Sequence, residues 1–358
     1  MALNDLACRR LCSQTISRSA FKRPEEAVSR LAAVQAQDRP GASWAIGLRV
    51  PGMTKEDIER SVASRKIVRT WLLRGTLHFT AAEDVRWMLD LVAPRLISRA
   101  RYRNEQLRLD DGTFDRSREV LTDALEDGEQ LARSETMSVL EKAGISTAGQ
   151  RGYHILWHLA LTGHICFGPM AGKEPTFVLL DEWIPPVKEM SRERSLEEMA
   201  RRYFLGHGPA KLEDLAWWSG LTTSDARKAI DMARPGLAEE VRDGVSYWTG
   251  PPCPGGDDDV RLHLLPPFDE YIVGYQDRSA VLDRDRTKGV ISSNGFFYPA
   301  MVIDGQVRGT WRVIKERDAI KLEARSFSRL SSSDVRDMKR AAARYETFIG
   351  RPVTSSCC

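Results

Sequence analysis

Two glutamines one residue apart, Gln35 and Gln37 in the run AVQAQDRP, are the first residues whose type and spacing invite chemistry. A carboxamide accepts hydrogen bonds through its oxygen and donates through its NH2, so it can hold a water while touching a second polar atom. It cannot act as a strong base, so any reaction it served would need a substrate already poised to break. On a regular helix, side chains two positions apart diverge. The apolar spacing of Ala27, Leu31 and Val34 predicts a helix ending near Gln35, and Pro40 disfavours helical geometry at Arg39. The chain is therefore expected to unwind there into a loop on which the two amides can converge. Asp38 reads as a turn residue before Pro40, with a second reading as an electrostatic helper. Gln-x-Gln is a common pattern, and taken alone it reads first as a pair of exposed helix-end glutamines.

Cationic side chains form the next constellation. Arg95, Arg99 and Arg103 fall at i, i+4 and i+8 on one helical face, with Arg101, Arg108 and Tyr102 beside them. Such a stripe can track phosphates or be an ordinary solvated face. A second stretch, Arg308, Arg312, Lys315, Lys321, Arg325 and Arg329, is diluted by Glu316, Asp318 and Glu323. Lys+Arg 53 against Asp+Glu 50 leaves a net charge of +3, which does not mark a nucleic-acid binder. The basic residues are nevertheless lopsided, with 41 arginines among the 53; arginine suits bidentate phosphate contacts, although a GC-rich genome also inflates it.

Other chemistries drop out. The chain has no HExxH, GxSxG, GxxxxGK[ST] or GxGxxG. Its 6 histidines do not cluster with cysteine at metal-ligand spacing, and its 6 cysteines, Cys357 and Cys358 among them, form no disulfide framework. Neither a metal nor a cofactor is expected. No apolar run approaches a membrane span, and the first residues lack the apolar core of a signal peptide. A reduced, soluble, cytoplasmic protein is expected, with no membrane partner.

The elements that must position these residues follow a weak repeat. IVRTWLLRGTLHF (67–79) and YHILWHLALTGHICF (153–167) both run from an apolar stretch to a turn at Gly75 or Gly163 and then into a strand. The second continues to a hairpin tip at 170–173. A fainter copy over 195–248 closes on a strand pair turning at Asp243-Gly244. Helix, helix, helix, β-hairpin is the winged-helix unit. The fold class is α+β: three tandem winged helices over 1–112, 113–190 and 191–250, the first carrying an inserted helical pair at 82–108. A Pro/Gly/Asp-rich linker then leads to a β-rich domain at 258–352, with a hairpin at Asp304-Gly305 and a final helix opening on serine caps. Trp157, Trp217 and Trp218 read as core.

The segments AVQAQDRP, RTWLLRGTLHF, GHICFGP, TFVLLDEW, GPAKLEDLAWWSGL, LLPPFDEYIVGYQDRS and NGFFYPAMVIDGQVRGTWR resemble, in order and over nearly the whole chain, the AlkZ-like (YcaQ-type) bacterial DNA glycosylases. The signature of that family is Gln, an apolar residue, then Gln or Asp. Gln35-Ala36-Gln37 matches it, Ala36 being smaller than usual in the middle. The resemblance implies a monofunctional glycosylase with Gln35 and Gln37 as catalytic residues, acting on double-stranded DNA that carries N7-alkylguanine adducts or crosslinks, in repair or in antibiotic self-resistance. It also implies a functional β-hairpin, for which 301–311 and 288–298 are candidates; an open channel lined by the three winged helices would suit a crosslinked base that cannot be flipped out.

Two neutral amides suit that chemistry. A guanine alkylated at N7 is already a cationic leaving group, so water placement and sugar stabilisation are what remain to be supplied. Arg69, Arg74, Thr76 and His78 are DNA-contact candidates near the glutamines, with Arg95, Arg99, Arg103, Arg308 and Arg312 further out. His78 has a competing reading as a half-buried strand residue. In FDEYIVGYQDRS, Asp269, Tyr271, Tyr275 and Arg278 carry either structural or DNA-contact roles. A monomer associated with the nucleoid is expected. The alternative is a non-enzymatic winged-helix transcription regulator; a protein-interaction scaffold is the third reading.

Overall fold

The computed structural model describes residues 3–17, 19, 21–187, 189–252 and 260–357, so most of the linker at 251–259 and Cys358 lie outside the described residues. The protein is α+β and divides into two compact units, Met1–Ile58 with Leu196–Cys358, and Glu59–Ser195.

The discontinuous unit is built on a five-stranded sheet in the order Val353–Cys357, Ile320–Ser326, Gln306–Lys315, Ala300–Ile303 and Leu262–Leu265. Its pairs are antiparallel except that Val353–Cys357 runs parallel to Ile320–Ser326. The sequence reading stopped short of that last strand, because polar VTSSC carries no alternating pattern of its own. Helix Ser332–Ile349, capped by the Ser331 hydroxyl accepting from Asp334 N, brings Tyr345 and Phe348 against Trp44, each with ring centroids 5.0 Å apart.

The turn at Asp304-Gly305 has both residues at positive φ, 49° and 78°. That mirror-image turn matches the twist of the flanking strands. Its tip is packed against the first helix, Leu3–Ser13: the Tyr271 hydroxyl lies 3.0 Å from Ala7 O and 2.7 Å from Gly305 O. A Cβ on Gly305 would stand 2.8 Å from that of Ala7. The hairpin at 301–311 is therefore walled in, which corrects its candidacy as a DNA probe. The 288–298 candidate instead turns through exposed Ser293, Asn294 and Gly295 beyond a bridge between Ile291 and Phe297.

Helices Arg192–His207, Leu212–Ser219 and Thr223–Ala233 precede a hairpin, Ala238–Arg242 with Val245–Thr249, that turns at Asp243-Gly244. Trp218 is buried there, but Trp217 is 41% exposed and is not core.

The continuous unit carries antiparallel strands in the order Leu77–Ala81, Ile67–Trp71, Ile165–Ala171, Glu174–Leu179 and Leu131–Ala132. Ile67–Trp71 is a strand buried at every position, whereas the stretch read as its repeat is the helix Arg151–Leu161. Those two segments are thus not equivalent in the fold: a short apolar run fits a buried strand as well as a buried helix. Along the chain, helix Asp111–Leu125, strand Leu131–Ala132, helices Arg133–Lys142 and Arg151–Leu161, and then the hairpin follow in turn.

The region read as an inserted helical pair is one helix, Val85–Gln106, running through Pro94. Burial of Val85, Trp87, Met88, Leu89, Leu91, Val92 and Ala93 outweighs the single backbone bond that proline removes.

Candidate active site

The segment bearing the glutamines is not a helix end. Helix Pro24–Leu31 stops four residues before Gln35 at Ala32, whose φ of 63° and ψ of −44° lie outside the helical region. Strand Ala33–Gln35 follows, and a new helix, Arg39–Arg49, begins where the sequence predicted departure from one. The pattern 27, 31, 34 had suggested continuity, but proline is well placed in a first helical turn. Asp38 caps that helix, accepting from Gly41 N at 2.6 Å. Ala32 is a residue held in sparsely populated backbone space, a feature that clusters at functional sites.

The two glutamines differ in setting. Gln35 is 6% exposed, and its backbone N–H donates to Glu270 Oε1 at 2.8 Å. Gln37 is exposed on the bend that follows. Beyond them, Arg49 in Arg39–Arg49 donates from two nitrogens to the Asp269 carboxylate at 2.8 and 2.9 Å, and neither side chain is exposed. Tyr271 and Tyr275 are buried, and Arg278 donates to Ile272 O at 2.9 Å. The FDEYIVGYQDRS run therefore builds the frame behind the glutamines. Its Glu270 went unremarked in the sequence; the available signal was a carboxylate beside an apolar YIV run.

From Asp38 and Pro40 opens a groove of about 960 Å³, lined by Trp44, Trp311 and Tyr345 and with Arg312 and Arg325 along it. The Trp44 and Trp311 indole N–H groups donate to Leu264 O and Leu265 O at 2.8 and 2.7 Å, which fixes both rings. Burial, and then the Asp38 charge, raise the Tyr345 hydroxyl pKa. Among the described residues, no group of three or more His, Cys, Asp or Glu is arranged to hold a metal. No helix among the described residues is long and apolar enough to cross a membrane.

The cationic candidates sort by exposure. Arg69 is buried, its guanidinium 4.7 Å from the Phe167 ring centroid, and His78 has no exposed surface, with Nδ1 2.9 Å from Thr76 O. Both are strand side chains packed in the fold, which corrects the DNA-facing reading of Arg69 and agrees with the strand reading of His78. Arg74, at φ 56°, and Thr76, whose hydroxyl donates to Leu73 O at 3.1 Å, are half-buried at the turn between Ile67–Trp71 and Leu77–Ala81.

Arg95, Arg99, Arg101 and Arg103 are exposed on the second half of Val85–Gln106, with Tyr102 71% exposed. Among the described residues, no carboxylate pairs with Arg95, Arg99 or Arg101, while Arg103 donates to Gln106 and Gln150. Arg308 is exposed; Arg312 is too, but it pairs with Glu323 at 2.6 Å.

The chain matches the family described as "DNA glycosylase AlkZ-like" over residues 28–348. It belongs to the AlkZ-like family. The match spans both glutamines and Glu270. A curated relative of this AlkZ-like chain is the "Interstrand DNA cross-link repair glycosylase" of Streptomyces sahachiroi, 26% identical over 318 residues, which cover 81% of this chain and 82% of that protein. The solved structure of Streptomyces sahachiroi DNA glycosylase AlkZ is similar with a TM-score of 0.79 and 23% identity, covering 99% of this chain and all of that one. At that identity the likeness is one of fold.

Proposed function

We propose that this AlkZ-like chain is a monofunctional DNA glycosylase that hydrolyses the bond between deoxyribose C1′ and N9 of a guanine alkylated at N7, interstrand crosslinks included. The observation that carries the reading is Gln35-Ala36-Gln37 on a short non-helical connection, inside a family match that spans most of the chain. Both amides are neutral, so neither drives off a poor leaving group. With a cationic N7-alkylguanine, the bond to N9 breaks with the electron pair going to the base. A water held by a glutamine carbonyl then adds to C1′ and loses its proton to solvent, while a glutamine NH2 donates to a sugar or phosphate oxygen. Unmodified guanine is left alone because nothing protonates it.

The stretches 111–179 and 192–249 each run helix, helix, helix, hairpin and are read as winged helices of a monomer that docks on duplex DNA. The exposed arginines of Val85–Gln106 then hold phosphates. An N7 adduct projects into the major groove, and a crosslinked base stays tethered to the other strand, so a deep flipping pocket is not required.

The test is base release from a duplex carrying N7-methylguanine, then from a nitrogen-mustard crosslink. Wild type should leave alkali-labile abasic sites and no borohydride-trapped adduct, and Gln35→Ala/Gln37→Ala should lose about a thousandfold or more in rate. Undiminished release by the double variant would move catalysis elsewhere. No release from either lesion, with tight binding to one DNA sequence, would favour a regulator.

A further inference from the structure

Glu270 is a fully buried carboxylate that the chemistry proposed above does not use. Taking a carboxylate out of water is costly unless its oxygens are bonded. Here Oε1 accepts from the Gln35 backbone N–H at 2.8 Å and Oε2 from the Trp218 indole N–H at 2.9 Å, with His207 Nε2 3.4 Å from Oε2.

The mount is rigid on every side. The His207 ring stacks on Tyr203 with centroids 4.8 Å apart at 11°, and its carbonyl accepts from the Tyr275 hydroxyl at 2.7 Å. The short helix Glu270–Val273 is capped by Asp269, the residue already paired with Arg49. What this mount grips is a short connection between two helices. Between Leu31 and Arg39 there is only a strand of 3 residues, entered through Ala32 at φ 63°. Buried Ala33, Val34 and Ala36 and the pairing of that short strand into its sheet hold the stretch, and the Glu270 bond adds a directional contact at Gln35 itself. A charge-assisted hydrogen bond sets direction.

We infer that Glu270 is the positioning residue for Gln35: across 235 positions of sequence, its carboxylate fixes the backbone from which the Gln35 amide is aimed. The inference rests on the catalytic reading of Gln35 given above. A misplacement of about 1 Å in a reacting group can cost about 100-fold in rate.

Single-turnover excision of N7-methylguanine, DNA affinity and amide hydrogen exchange over 33–38 are measured on full-length wild type, Glu270→Ala, Glu270→Gln and Gln35→Ala. Glu270→Ala should lose about 100-fold in rate with Kd within about twofold, and exchange should quicken over 33–38 but not over 67–81. Glu270→Gln should lose about tenfold, since its oxygen still accepts from Gln35 while its NH2 meets the Trp218 N–H, donor against donor.

A purely structural role would instead lower DNA affinity along with rate. Wild-type rate in a folded Glu270 variant overturns the inference, as does a rate loss with unchanged exchange. If Glu270→Ala fails to fold, Glu270→Gln is judged by the same two criteria. Wild-type excision by Gln35→Ala would bring down the catalytic reading instead, and the exchange data would still decide whether Glu270 orders the segment.

Discussion

Gln35 and Gln37 stand two positions apart yet in opposite settings, one buried and bonded through its backbone, the other exposed on a bend. A buried polar side chain beside a solvent-facing one suits a pair that works at the boundary between protein and DNA. The same contrast between type and setting governs the histidines. His263 is buried with neither ring nitrogen hydrogen-bonded, and burial, then the Arg344 and Arg49 charges, lower its pKa to about 3.

In the unfolded chain that imidazole takes up a proton near pH 6.5. Between pH 6.5 and 3 the unfolded state thus binds more protons, so stability falls on acidification by up to about 1.4 kcal/mol per pH unit. Urea denaturation at pH 7 and pH 5 should show a smaller loss for His263→Leu than for wild type; an equal loss in both would refute this. The positions of the two glutamines were readable in the sequence through the family signature. Glu270 was not, because its bond to Gln35 joins residues 235 apart, and the burial of Arg69 and His78 likewise depends on strands that meet only in the fold.

Elements were readable where their chemistry is local. Asp243-Gly244 and Asp304-Gly305 both form turns with two positive φ values, 49° and 75°, and 49° and 78°. What separates them is packing. A Cβ at Gly244 meets nothing within 4 Å, whereas at Gly305 it meets Ala7 at 2.8 Å. Gly244→Ala should therefore cost only the left-handed strain, about 1–2 kcal/mol. Gly305→Ala should cost a further 1–3 kcal/mol or so for overpacking. Equal denaturation midpoints for the two variants would remove the distinction.

Less readable were the end of helix Pro24–Leu31, broken at a non-glycine residue, and Ile67–Trp71, whose apolar run carries no period. Helix Val85–Gln106 buries its apolar residues before Pro94 and carries exposed arginines after it. If that second half holds phosphates, Arg95→Ala/Arg99→Ala/Arg103→Ala should flatten the plot of log affinity against log salt by about 0.9 per lost contact. An unchanged slope would leave the stripe a solvated face.

On the scale of the whole molecule, the chain builds one unit from its two ends and the other from its middle. The first 58 residues are tied to the segment from Leu196 onward by Arg10 donating to Pro209 O at 2.9 Å, Trp44 to Leu264 O and Arg49 to Asp269. A fragment of residues 64–187 should melt cooperatively by itself, while 196–358 should need 1–58 supplied in trans; calorimetry of the separate and mixed fragments checks both. Cooperative melting of 196–358 alone would refute the second.

The bond from Gln35 to Glu270 also has a consequence in time. At about 5–20 residues per second, a ribosome takes about 10–50 s to travel from codon 35 to codon 270. Throughout that interval the nascent chain carries both glutamines but not the carboxylate to which the Gln35 N–H donates. If Glu270 positions Gln35 as inferred, competence arrives late in synthesis, and a chain that terminates early, from a nonsense codon or a stalled ribosome, is released without that bond.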